Sequence, residues 1–161
     1  MVHRCDAADQ GEDMRTYHVE ARAMSTASPS EVYALLIDRP TWPSWSPIDT
    51  FELERPGHRD RQGLGSIGIL RTGKRAMHEE IVELVSDRRL GYVLLSGLAL
   101  RNYRANVDLE PSDGGTAIRW ASSFNPKVPG TGRTYQKGLT KAINDFATGL
   151  ATAADRSVAP R

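Results

Sequence analysis

Residues Ala27–Trp45 read ASPSEVYALLIDRPTWPSW, a pattern that predicts a short helix with a marked start. Ser28 is of a type that caps helix N-termini, and Pro29 suits the first helical position. Glu31 stands three residues after Ser28, which is the spacing of a capping box. Apolar residues then recur at helical spacing and predict one buried face, formed by Val32, Leu35 and Leu36.

The same stretch ends in two prolines and two tryptophans. Pro40 and Pro43 stop the first helix, because proline lacks the amide hydrogen that a helix interior requires. Trp42 and Trp45 lie three residues apart, so a short second helical turn would present both rings together. Helices this short depend on packing, which indicates that they brace a larger sheet. The rings could alternatively form an exposed association patch.

Strand-like alternation predicts that sheet. Apolar and polar residues alternate in runs that are separated by glycine, proline or charged turns. Because tight turns join these runs, the sheet should be antiparallel. The seven predicted strands cover residues 15–24, 50–55, 66–71, 77–85, 90–96, 101–110 and 116–124.

A long helix is predicted over residues 133–156. Its apolar stripe advances by four, four, three and four positions through Tyr135, Leu139, Ile143, Phe146 and Leu150. The sheet and this helix each have an apolar face to bury, so we expect an α+β fold with a curved sheet wrapped around the C-terminal helix. Residues 1–13 are polar and aperiodic and are expected to be disordered. A single domain would then cover residues 14–156, followed by a frayed tail at 157–161.

Composition narrows the function classes. The 161 residues carry a formal net charge of +1, which argues neither for nor against a nucleic-acid partner. No nucleic-acid partner is expected, because the basic residues of the long helix are not interleaved with aromatic residues. Cys5 is the single cysteine, so no internal disulfide can form and a reduced, cytoplasmic setting is expected. The N-terminus lacks the apolar run of a secretory signal, and no segment reaches the roughly 18 apolar residues of a membrane span. Without metal-ligand spacing or a phosphate-binding loop, neither a metal nor a cofactor is expected.

Three segments carry a resemblance to a known superfamily. They are SPSEVYALLIDRPTWPSWSPI (28–48), RTGKRAMHEEIVELVSDRRLGYVLLSG (71–97) and YRANVDLEPSDGGTAIRW (103–120). Together with the long helix they resemble the START/Bet v 1-like superfamily, also called SRPBCC, and most of all its bacterial polyketide cyclase/dehydrase branch. The resemblance implies a helix-grip fold that encloses a cavity for a hydrophobic small molecule. LRNYRANVDLEP (100–111) also resembles plant abscisic acid receptors.

Within that resemblance, strand alternation selects residues that would face the cavity. Tyr92 and Leu94 follow from the likeness to the receptor strands. Tyr103, Trp120 and Phe124 are as compatible with a plain core as with ligand contact. The set expected to bind ligand is Trp45, Arg71, His78, Glu80, Val82, Tyr92, Leu94, Tyr103, Ala105, Trp120, Ser122, Phe124, Tyr135, Leu139 and Ile143.

The sequence pattern does not decide which face of the fourth predicted strand lines the cavity. One face carries His78, Glu80, Val82 and Leu84, and the other carries Met77, Glu79, Ile81, Glu83 and Val85. The first face resembles the pocket side of the receptor-like proteins, and we expect it to face the cavity. Glu80 would then form a structural pair with Arg71 or Tyr103, recognise the ligand, or remain in solvent. A carboxylate in an apolar cavity must be paired or have a raised pKa.

Three functions fit these expectations. The first is a binding protein, monomeric or homodimeric, that holds a lipid, polyketide or isoprenoid-like molecule for carriage or sensing. The second is a cyclase or dehydrase in which Glu80 or His78 removes a proton beside a carbonyl, while Arg71 or Tyr103 stabilises the enolate. The third is a regulatory or toxin-like partner protein. Binding is the preferred function, because an apolar cavity needs no catalyst to be useful and a fold does not fix function.

Overall fold

The capped stretch folds as the sequence predicts. In the computed structural model, which describes residues 15–160, helix α1 spans Pro29–Ile37 and a 3₁₀ helix spans Arg39–Ser44. Ser28 Oγ accepts a hydrogen bond from the Glu31 amide, and the Glu31 carboxylate accepts one from the Ser28 amide, which completes the capping box. The predicted disordered tail, residues 1–13, lies outside the described residues.

Seven antiparallel strands form one sheet. The strands are β1 (Tyr17–Ser25), β2 (Thr50–Arg55), β3 (Ile67–Thr72), β4 (Arg75–Val85), β5 (Arg89–Ser96), β6 (Leu100–Ser112) and β7 (Gly115–Pro126). They lie in the order β1-β7-β6-β5-β4-β3-β2. The first and last strands of the chain therefore lie side by side, and the other neighbours are consecutive in the chain.

The long helix α2 (Gly132–Val158) packs against β1, β7 and α1, so the sheet curves around it as expected. Two residues predicted to fray, Ser157 and Val158, are helical. Asp155 ties the end of α2 to the β1–α1 connection by accepting hydrogen bonds from the Ser25 hydroxyl and the Thr26 amide. None of the helices within residues 15–160 combines the length and the apolar character of a membrane span.

The 3₁₀ helix brings its two tryptophans to different depths. Trp42 is 1% exposed, and its ring lies 5.5 to 6.5 Å from the rings of Trp45, Tyr92, Trp120 and Phe146. Trp45 is half-buried and contacts α2. The structure therefore favours the prediction that this segment braces the sheet over the alternative of an exposed tryptophan patch.

Two glycines of α2 should respond in opposite ways to substitution by alanine. A side chain at Gly149 would collide with the carbonyl oxygen of Trp45, whereas one at Gly138 would meet nothing within 4 Å. We expect Gly149→Ala to lower the free energy of unfolding by about 1–3 kcal/mol through overpacking. We expect Gly138→Ala to raise it by up to about 1 kcal/mol, because alanine is the better helix former. Urea unfolding of both variants measures these changes in the free energy of unfolding. A Gly149→Ala protein as stable as the parent would contradict the close contact between Gly149 and the Trp45 carbonyl oxygen.

Candidate functional site

A cavity of about 620 Å³ lies between the sheet and α2. Strands β5 and β6 pair only between Arg89–Val93 and Arg104–Asp108, and beyond this paired part Leu94 and Leu98 line the cavity. Side chains from the 3₁₀ helix, strands β3 to β6 and α2 form its wall, which is mostly apolar. The lining includes Trp42, Pro47, Ile48, Leu70, Met77, Glu79, Tyr92, Leu94, Leu98, Tyr103, Tyr135, Leu139, Ala142, Ile143 and Phe146.

Six of the residues expected to bind ligand lie in this lining. They come from the neighbouring strands β5 and β6 and from α2 on the opposite side of the cavity. They are Tyr92, Leu94, Tyr103, Tyr135, Leu139 and Ile143. The Tyr135 hydroxyl also accepts a hydrogen bond from the Ala99 amide at 3.3 Å, which ties α2 to the β5–β6 turn at the cavity.

Five other expected residues are packed outside the lining. Trp45 contacts the backbone of α2 at Gly149. Phe124 stacks on Tyr17 with ring centroids 5.6 Å apart, so it belongs to the core at the far side of β7. Ala105, Trp120 and Ser122 are likewise buried in the core. For Trp120 and Phe124 the plain core alternative therefore describes their surroundings.

The face of β4 that we expected to line the cavity is the wrong one. Glu80 bonds to Arg55 at 2.7 Å, and His78 Nδ1 lies 3.0 Å from Glu54, both on the face turned away from α2. Val82 is 37% exposed. Arg71 of β3, also expected in the cavity, instead bonds to Glu52 at 2.8 Å on the surface. The cavity receives the opposite face of β4, with Met77 and Glu79.

Two irregularities in the β4–β5 pairing explain the ambiguity. Ile81 pairs with Tyr92 and Glu83 pairs with Gly91, so Val82 is an extra residue in β4. On the other side, His78 pairs with Ser96 and Glu79 with Leu94, so Leu95 is extra in β5. A bulge moves all following side chains to the other face. Ile81 and Leu84, three residues apart, therefore both pack inward, and neither regular face is correct along the whole strand.

Glu79 is the chemically distinctive group of the cavity. It is only 9% exposed, and within residues 15–160 its carboxylate takes part in no hydrogen bond or salt bridge. Burial raises its pKa from 4.5 to about 7, and this effect outweighs the opposing attraction of the Arg39 guanidinium. The cavity thus holds a carboxyl group that is near half-ionisation at neutral pH.

Arg39 contacts the backbone of Glu79 but does not bond to its carboxylate. Its guanidinium donates to the Ser66 hydroxyl at 2.9 Å and to the Glu79 carbonyl oxygen at 3.4 Å, and lies over the Phe51 ring. Burial lowers the pKa of Arg39 to about 10, so it remains charged at neutral pH. Its Nε atom has no acceptor among the described residues. A buried cation therefore lies near Glu79 but leaves both carboxylate oxygens available.

Two tyrosine hydroxyls complete the polar part of the cavity. The Tyr92 hydroxyl accepts a hydrogen bond from Trp120 Nε1 at 3.1 Å. Burial and the nearby charge of Glu79 raise the pKa of Tyr103 to about 12, and they raise that of Tyr92 well above its usual value. The Ser122 hydroxyl lies near that of Tyr103, but the two do not meet the geometry of a hydrogen bond. Both tyrosines are neutral donors at any physiological pH.

Sequence reasoning missed four prominent members of the lining: Trp42, Met77, Glu79 and Phe146. Phe146 belongs to the apolar stripe of α2, so continuing that stripe by one turn would have found it. Met77 and Glu79 lie on the other face of β4, and preferring that face would have found them. Trp42 carries no local signal for a cavity wall, because its position depends on how the 3₁₀ helix packs against β5 and α2.

A larger groove of about 1060 Å³ crosses the sheet face turned away from α2. Several of its charged side chains pair with one another: Asp108 bonds to Arg89 at 2.6 Å and to Arg119 at 3.5 Å. It is an open surface depression without an enclosed apolar wall, so the smaller cavity is the better candidate site. Within residues 15–160 no three histidine, cysteine or acidic side chains are grouped to hold a metal ion.

Comparisons with known proteins agree with this architecture. A family model described as "Polyketide cyclase / dehydrase and lipid transport" matches residues 16–155. A START superfamily protein from Mycobacterium smegmatis has a TM-score of 0.75 at 14% identity, covering 88% of this chain and 99% of its own. The Zhui aromatase/cyclase from a Streptomyces species has a TM-score of 0.73 at 14% identity, covering 90% of this chain and 97% of its own.

A further structure, from Thermus thermophilus, has a TM-score of 0.69 at 18% identity and covers 89% of this chain and 100% of its own. No curated protein matches the sequence. At such low identities the likeness to these structures shows the fold alone. The helix-grip fold is shared with the START superfamily structure, and the family match over residues 16–155 shows that this chain belongs to the family described as polyketide cyclase/dehydrase and lipid transport.

Proposed function

We propose that this protein binds a hydrophobic small molecule, such as a lipid, polyketide or isoprenoid-like compound, in the cavity between its sheet and α2, for carriage or sensing. The observation that carries the proposal is the cavity itself. Its volume of about 620 Å³ lies within the range of about 300–1,000 Å³ that is typical of small-molecule sites. Its wall combines many apolar side chains with a few polar groups, the usual composition of a ligand pocket.

The polar groups of the cavity would orient the bound molecule. Tyr92, Tyr103 and Glu79 lie together on the sheet side, whereas Leu139, Ala142 and Ile143 on α2 form an apolar wall opposite. A ligand with an apolar body and one polar end would bury the body against α2. Its polar end would then reach the tyrosine hydroxyls and the carboxyl group.

Filling the cavity should weaken binding. Ala142 lines the cavity on α2, so we expect Ala142→Trp to occupy the space that a ligand needs and to weaken binding at least about tenfold. The neutral fluorescent probe N-phenylnaphthylamine reports binding by its increase in fluorescence. Native mass spectrometry of the gently purified protein tests for a bound natural ligand.

The matched control for that variant is Thr148→Trp. Thr148 is on the same helix, is exposed and does not line the cavity, so this variant should bind the probe like the unmodified protein. Both variants should retain the far-ultraviolet circular dichroism of the parent. Failure of the unmodified protein to bind the probe or any of a panel of lipids would overturn the proposal. Equal binding by both tryptophan variants would place the binding site elsewhere.

A second candidate, a cyclase or dehydrase, is favoured by the position of Glu79. A carboxyl group with a pKa of about 7 is suited to general base catalysis near neutral pH. Glu79 would take a proton from the carbon beside a substrate carbonyl, and the Tyr103 hydroxyl would donate a hydrogen bond to the developing enolate oxygen. Under this proposal Glu79→Gln retains substrate binding and loses turnover, whereas retained turnover would rule out the base role.

A further inference from the structure

The unpaired carboxylate of Glu79 lies among aromatic rings. Trp42, Tyr92 and Tyr103 line the same cavity, and successive ring centroids along this group are 6.5 and 6.4 Å apart. Both tyrosines lie close enough to Glu79 for its charge to act on their hydroxyls. Aromatic faces carry partial negative charge and attract cations. Carboxylate and rings together therefore form a site whose local field favours positive charge.

We infer, on the basis of the proposed binding function, that the ligand is a hydrophobic amine whose protonated nitrogen bonds to the Glu79 carboxylate and contacts the surrounding aromatic rings. The apolar body of the amine would occupy the wall formed by Leu139, Ala142 and Ile143 of α2. This assigns a ligand class to the cavity: alkyl- or arylammonium compounds, in preference to fatty acids and neutral lipids.

The alternatives fit the geometry less well. A carboxylic acid would bring a second negative charge next to Glu79, and like charges in a desolvated site repel. A fully neutral lipid would cover the carboxylate and leave it without a partner, which is costly in an apolar environment. Arg39 does not satisfy it, since that guanidinium is held by the Ser66 hydroxyl and the Glu79 carbonyl oxygen. An ammonium group gives Glu79 a charge-assisted hydrogen bond.

Glu79 is the buried acidic group of the cavity, because the other charged groups that line it are paired or exposed. Lys141 and Asp145 on α2 bond to each other at 2.8 Å, and the Lys141 side chain is 80% exposed. Arg75 is the first residue of β4 and is exposed. Among residues 15–160, Tyr92, Tyr103 and Tyr135 are the remaining titratable groups of the lining, Arg39 lies next to Glu79, and no histidine lines the cavity. Between about pH 6 and pH 8, ionisation of Glu79 should therefore dominate the pH dependence of amine binding.

Isothermal titration with decylammonium, decanol and decanoate tests the inference, because the three probes share one alkyl chain. At pH 8 we expect decylammonium to bind at least about tenfold more tightly than decanol. Glu79→Gln should remove this preference, so that the affinities for decylammonium and decanol agree within about threefold. The matched control is Glu80→Gln, since Glu80 is adjacent in sequence but bonds to Arg55 on the opposite face. This variant should keep the preference.

The pH profile of the unmodified protein is an independent measurement that needs no variant. Because the ammonium binds the ionised form of Glu79, the decylammonium affinity should fall about tenfold from pH 8 to pH 6, while the decanol affinity stays constant. Equal affinities for amine and alcohol, or a preference that survives in Glu79→Gln, would overturn the amine assignment and leave the proposed binding function intact. Failure of all three probes to bind would overturn both.

Discussion

Replacing Trp42 with alanine is expected to lower the free energy of unfolding by about 3–5 kcal/mol. Trp42 is 1% exposed, and its ring contacts those of Trp45, Tyr92, Trp120 and Phe146. The variant would leave a large void where the 3₁₀ helix, the sheet and α2 meet. It would also remove the donor of the 3.0 Å hydrogen bond from Trp42 Nε1 to the Leu36 carbonyl oxygen at the end of α1.

Urea unfolding followed by circular dichroism measures this loss, with Trp45→Ala as the matched control. Trp45 is half-buried and its Nε1 bond to Thr41 Oγ1 is longer, at 3.3 Å, so its replacement should cost less than that of Trp42. A loss of less than about 1 kcal/mol for Trp42→Ala, or a larger loss for Trp45→Ala, would show that Trp42 is not the central packing residue.

Local signals in the sequence predicted most of the fold. The capping box of α1 depends on two side chains three residues apart, and such a short-range contact can be inferred from spacing alone. Regular alternation predicted the strands because β6 and β7 each keep one buried face over most of their length. The apolar stripe of α2 predicted which side of the helix meets the sheet.

The candidate site could be predicted only in part. In β5, β6 and α2 the side chains predicted to bind ligand line the cavity, apart from the buried Ala105 of β6, since alternation and helical spacing apply there. In β4 the extra residue Val82 changes the inward face in mid-strand, and Leu95 is a second extra residue in the partner strand β5. Alternation alone does not detect a bulge of this kind. The choice between Glu79 and Glu80 also depends on distant partners: Arg55 holds Glu80 outside, and Arg39 lies behind Glu79.

The buried carboxyl group should also make stability depend on pH. Burial raises the pKa of Glu79 from 4.5 to about 7, so the folded protein holds this proton more tightly than the unfolded chain. The unfolded state therefore binds fewer protons between these values, and the free energy of unfolding falls as the pH rises through them. The full loss, reached above pH 7, is about 3 kcal/mol relative to a protein without this ionisation.

Comparison with Glu79→Gln isolates this contribution, because glutamine has the same size and does not ionise. At about pH 4 the two proteins should differ little through this effect, and by about pH 8 the variant should be more stable by about 3 kcal/mol. Urea unfolding at intervals of pH gives the difference curve. A stability difference that is constant over this range would show that Glu79 is not a desolvated carboxyl group in the folded protein.

The same measurement connects stability to the amine inference. An ammonium ion bound at Glu79 favours the ionised carboxylate, which lowers its pKa in the complex. In saturating decylammonium, the unmodified protein should therefore gain more stability at pH 8 than at pH 6, while Glu79→Gln gains equally at both. Decanol should stabilise both proteins without this pH dependence. A residue that weakens the empty protein and strengthens the complex is expected where a binding site is held ready for a charged ligand.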